Sequence, residues 1–128
     1  MNYLLDTQAF LWIVTADERL SKRAKNIFLS IRNDFFLSIA SIWEIAIKFS
    51  IGKLYISIPI QEFIHRGIEN NDIKLLDIKF EHVLSVSSLP FHHRDSFDRL
   101  LITQAMSENF IILSNDKTFD KYSIKRVW

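Results

Sequence analysis

The stretch "SFDRLLITQAMSENFIILSND", residues 96–116, sets a long helical pattern directly before a strand that is apolar from Phe110 to Leu113. In the first part, Leu101, Ile102 and Ala105 share one helical face. In the second there is no alternation of apolar and polar residues. A strand with one wet face alternates; a strand apolar throughout is covered on both faces, the habit of parallel sheets.

The same alternation of strands and helices runs outward in both directions. Residues 2–5 predict a short buried strand ending at Asp6, with a helix beginning over 9–14. "DERLSKRAKNIFLSI" (17–31) carries Leu20, Ala24, Ile27, Phe28 and Ile31 at helical spacing. "DFFLSI" (34–39) reads as a second strand, and "ASIWEIAIKFSIGKL" (40–54) as a helix that Gly52 terminates. Pro59 opens another helix over 59–70, "IKLLDI" (73–78) is a third strand, and "FEHVLSVSSL" (80–89) a short helix. After residue 116, "KTFDKY" is a turn or short helix and "SIKRVW" a last strand. The fold class is α/β, a parallel-type central sheet of about five strands flanked by helices. In such sheets ligands sit beyond the carboxyl ends of the strands.

A chain of 128 residues, 48% hydrophobic with 11 Phe and 3 Trp, is expected to form one domain over 1–128 with a sizeable core. It has no Cys, which excludes a disulfide framework and a thiolate metal site. The net charge of +1 leaves room for a local basic patch and says little about partners. The N-terminus has no basic segment before its apolar stretch, so no signal peptide is expected. The most apolar region, 35–58, is interrupted by Glu44, Lys48 and Lys53, which reads as buried soluble structure with no membrane contact and a cytoplasmic location.

The acidic residues hold the chemistry. Asp6 and Asp116 close two strands, where a plain turn or N-cap role is also open to them. Glu44 sits among Ile42, Trp43, Ile45, Ala46 and Ile47, and burying a carboxylate there unpaired is expensive. An i,i+4 pair with Lys48 offsets only a few tenths of a kcal/mol. Asp95 suits the N-cap of the helix it precedes, whereas Asp98 shares a face with Leu101, Ile102 and Ala105 and is aimed inward. Four converging carboxylates repel unless a cation joins them. Oxygen ligands without Cys favour Mg²⁺ or Mn²⁺. Such a site activates water and neutralises charge on a phosphodiester.

Here a resemblance becomes specific. "LLDTQAFLW" (4–12), "SIWEIAIK" (41–48), "FHHRDSFDRLLITQA" (91–105) and "IILSNDKTFDKY" (111–122) resemble, in order, the four motifs of the PIN-domain family. They look most like those of VapC-type toxins of bacterial type II toxin–antitoxin systems. The resemblance implies one PIN-like α/β/α sandwich and metal-dependent endoribonuclease activity on an RNA substrate. It also implies a cognate antitoxin, a homodimer, and acidic ligands at Asp6, Glu44, Asp98 and Asp116, with Asp95 as an additional candidate. Ser96 stands where many relatives have Pro and leaves the acidic set intact.

Among the other polar residues, Thr7, Ser114 and Asn115 lie beside strand-end acids, where they can donate hydrogen bonds to ligand carboxylates. Arg94 and Arg99 match phosphate geometry, although Arg99 is equally suited to partner a nearby acid. His92 and His93 read as flanking RNA or lying in a solvated loop rather than as ligands, because hard oxygen donors dominate. Lys48, Lys53 and Lys117 are open to a basic rim or, more commonly, to plain surface, and Trp12 and Trp43 read as core, an exposed Trp12 being the exception. Two other readings compete. A receiver-like domain wants an acidic pair after its first strand, where "LLDTQ" has one acid. A PIN fold that only binds RNA or protein is disfavoured by an intact acid set.

Overall fold

The computed structural model describes residues 1–128. Five strands form one parallel sheet in the order β3-β2-β1-β4-β5. They are β1 (Asn2–Leu5), β2 (Asp34–Ser38), β3 (Lys74–Leu76), β4 (Ile111–Leu113) and β5 (Arg126–Val127). The first strand lies at the centre, with Leu5 level with Leu37 of β2 on one side and Leu113 of β4 on the other. The chain builds outward from β1 through β2 to β3, then returns to the far side of β1 for β4. A topological switch point therefore lies between β1 and β4, and a crevice opens outside their carboxyl ends.

Alternate residues of β1 feed two cores. Tyr3 and Leu5 join Phe10, Ile13, Ala24, Ile45 and Ile64 on one face. There they meet α1 (Thr7–Val14), α2 (Lys22–Leu29), α3 (Ile39–Ser50) and α4 (Ile60–Glu69). Leu4 points the other way, into a cluster with Leu101, Ile102, Ala105, Ile112 and Phe119. That face is covered by α6 (Ser96–Glu108) and by α5 (Phe80–Ser85), which packs on α6. The result is the three-layer α/β/α arrangement expected from uninterrupted apolar strands.

Capping explains most departures from the expected boundaries. α1 starts at Thr7 rather than Ala9 because Asp6 caps it, accepting the Ala9 N–H at 2.7 Å. The single helix expected over 17–31 is shorter. Ala16 adopts φ +51°, Asp17 accepts the Arg19 N–H, and α2 begins only after Ser21, whose hydroxyl accepts the Ala24 N–H. Gly52, with φ +76°, lies just past α3 and ends it as its position suggests. The 80–89 segment splits into α5 and a 3-10 turn at Val86–Ser88. Trp12 is buried as expected, but Trp43 is 58% exposed and stands edge-on to Phe97 rather than in the core. No helix is long and apolar enough to cross a membrane.

Candidate metal centre

Strand ends and helix starts bring the acids to one crevice. Asp6 follows β1, Asp116 lies three residues past the end of β4, Glu44 projects from α3 and Asp98 from the first turn of α6. All four line a cleft of about 360 Å³ together with Asp95, Lys48 and Lys53. A wider hollow of about 850 Å³, bordered by Met1, Asn109 and Lys125, opens at the amino ends of the strands. It gathers no carboxylates, whereas the smaller cleft gathers five.

Each carboxylate is held by its own donors. Asp6 is 8% exposed, and besides Ala9 N–H it accepts the Ser114 hydroxyl. Burial pushes its carboxyl up to about 6, against the pull of those two donors and with added repulsion from Asp116 and Glu44. Glu44 is 6% exposed and accepts the Thr7 hydroxyl and the Lys48 ammonium, each at 2.6 Å. Asp98 carries the greatest conflict. Burial first, then the charges of Asp95, Asp6, Glu44 and Asp116, raise its carboxyl to about 8. Around Asp116 burial is opposed by the Thr118 backbone N–H and by His93, which hold its carboxylate below the usual range.

The structure divides the remaining candidates. Asp95 caps α6, with one oxygen accepting Phe97 N–H at 2.8 Å and Asp98 N–H at 3.0 Å, and it also borders the cleft. Ser114 donates to Asp6 and accepts the Asp116 N–H, tying the two strand ends together. Thr7 serves Glu44 across the crevice rather than the adjacent Asp6. Asn115 is exposed and bonds to none of the acids, which corrects its expected supporting role. Arg94 is exposed and is not among the residues that line the cleft.

Arg99 is the larger correction. It is 4% exposed, and its guanidinium donates to the carbonyls of Pro90 at 2.9 Å, Leu89 at 3.0 Å, and Val86 and His93 at 3.3 Å. One residue turns a helix by about 100°, so Arg99 faces away from the cleft that Asp98 faces. A buried fork bonded to carbonyls is not free to meet phosphate.

Of the three lysines open to a basic rim, Lys48 and Lys53 line the cleft beside the acids and Lys117 does not. His93, read as solvated, places Nε2 2.8 Å from Asp116 Oδ2 and 3.0 Å from Asp98 Oδ2. The one signal for it was its position, two residues before an N-cap Asp at the mouth of the helix bearing Asp98.

The sequence profile of the PIN domain matches residues 3–125. No curated protein matches the chain. Among solved structures, VapBC2 from Rickettsia felis, bound to a DNA fragment from its promoter, aligns with a TM-score of 0.74 and 15% identity over 99% of this chain and 98% of that one. VapBC-1 from nontypeable Haemophilus influenzae aligns at 0.67 and 16% identity over 99% and 97%. The PIN domain endonuclease Utp24 aligns at 0.53 and 11% identity over 94% of this chain and 74% of that one.

Proposed function

The chain belongs to the PIN domain family, and on that footing we propose that it is a metal-dependent endoribonuclease, the cytoplasmic toxin of a toxin–antitoxin pair. The observation that carries the reading is the convergence of Asp6, Glu44, Asp98 and Asp116 on one cleft, with Asp98 raised to about 8. The donor set fits a hard divalent cation. Its four acids offer hard carboxylate oxygens, with the His93 imidazole beside two of them, and the mutual repulsion of the acids is what a cation relieves. Those four residues would hold Mg²⁺ or Mn²⁺, with Asp95 bordering them mainly as a cap. When bound, the cation supplies a water of lowered pKa and neutralises charge gathering on a phosphodiester.

The chain's own residues do the rest. Ala9 N–H and Ser114 orient Asp6, Thr7 and Lys48 orient Glu44, and the Thr118 N–H orients Asp116. Lys48 and Lys53 face the cleft, where they attract the RNA backbone, and the exposed Arg94, next in sequence to Asp95, extends that attraction. The resemblance to solved VapBC structures supports an antitoxin partner. The exposed ridge of Trp43, Ile47 and Ile51 along α3 supports self-association as a homodimer. A receiver-like reading is disfavoured because Glu44 comes from a helix and only one acid follows β1.

The test is incubation of purified protein with a structured RNA. Mg²⁺ or Mn²⁺ should support internal cleavage and excess EDTA should stop it. Cleavage that persists in EDTA would overturn the reading.

A further inference from the structure

His93 occupies the acid site without being required by it. Its Nε2 is within hydrogen-bond distance of Asp116 Oδ2 and 3.0 Å from Asp98 Oδ2, and it is the non-acidic member of the group His93, Asp98, Asp116 whose donor atoms lie within 4.8 Å of one another. A second contact decides what the imidazole can do. Nδ1 accepts the Asp95 backbone N–H at 3.2 Å, so the ring proton sits on Nε2 and faces the carboxylates. A nitrogen carrying a proton has no lone pair for a cation. In this orientation His93 is a donor to the acids, and a cation held by Asp98 and Asp116 would compete with it for them.

The backbone beneath the ring is pinned. The His93 N–H donates to the Tyr122 hydroxyl at 2.7 Å, and its carbonyl accepts from the buried Arg99. Tyr122 in turn donates to the Pro90 carbonyl at 2.7 Å. The freedom left to His93 is rotation of its side chain.

We propose that His93 is a positioning residue that stands in for the cation: its Nε2–H holds Asp98 and Asp116 together in the metal-free protein, and its side chain rotates off them when a cation joins the two. The proposal rests on the metal-nuclease reading. A contact made only in the metal-free state stabilises that state and competes with metal uptake. His93 thus keeps the empty site convergent and lowers its affinity.

The experiment is calorimetric titration of Mn²⁺ into the parent, His93→Ala and His93→Gln, with thermal melts of each in excess EDTA. Losing one hydrogen bond to a carboxylate should tighten Mn²⁺ binding by His93→Ala about tenfold. The metal-free variant should melt about 5 °C lower. Gln, which carries an N–H to nearly the same place, should return both values toward the parent. Weaker binding by His93→Ala would make His93 a ligand or an aid to the bound state and would overturn the proposal, as would unchanged affinity. If the parent takes up no Mn²⁺, the metal-site reading fails with it. If the parent binds and His93→Ala binds equally, only the role of His93 is lost.

Discussion

Asp98 is where burial and like charge meet most sharply. Its carboxyl is pushed to about 8, and that of Asp6 to about 6, by burial first and then by the surrounding carboxylates. Lys48 and His93 are the positive or donor groups facing them. A carboxyl whose folded pKa exceeds its unfolded value of about 4 binds protons more tightly when folded. Its contribution to stability is present at acid pH and is lost as pH rises through the folded value. The metal-free protein should therefore lose melting temperature between about pH 5 and 8, and saturating Mn²⁺ should flatten that decline; thermal melts in EDTA and in Mn²⁺ across the range decide it. Asp98→Asn removes the most strained acid, so it should melt at or above the parent while losing nearly all cleavage. Asp95→Asn should keep much of its activity, because Asn also caps well. The acids stand out in the sequence because a carboxylate beside Ile45 or Leu101 conflicts with its surroundings. His93 and Arg99 do not stand out. The direction of a guanidinium, or the tautomer of an imidazole, depends on which carbonyls and N–H groups the folded loop brings near.

Among elements, the close contact of α1 and α4 depends on Gly67. A Cβ added there would lie 2.9 Å from Val14 Cγ2 and 3.0 Å from the Phe10 ring tip. Gly67→Val should push the helices apart and cost about 1–3 kcal/mol, read from the denaturant midpoint. Cleavage per folded molecule should survive, since Gly67 lies outside the acid cleft. The order of strands and helices was legible because apolar runs and helical stripes have different periods. Their limits were less so. The shortening of α2 follows from Ala16 at positive φ and from Ser21 as a cap, and no hydrophobic stripe encodes either. The exposure of Trp43 was equally hidden, because an apolar helix in sequence does not say which of its faces a neighbour covers.

For the molecule as a whole, the sheet order β3-β2-β1-β4-β5 sets β1 and β4 side by side, with Asp6 directly after β1 and Asp116 three residues past the end of β4. Helices α3 and α6, on opposite faces of the sheet, meet over the same edge through Trp43 and Phe97 and add Glu44 and Asp98. Parallel topology is thus what brings carboxylates from distant parts of the chain to one cleft. Under the proposed function, metal uptake and RNA cleavage belong to the same four carboxylates. This is tested most directly by equilibrium dialysis against Mn²⁺ and an RNA cleavage assay on the same preparations of parent and Asp6→Asn/Asp98→Asn. The account predicts that the double variant stays folded and loses both Mn²⁺ uptake and cleavage. A folded double variant that still cuts RNA in Mn²⁺ at the parent's rate would contradict it.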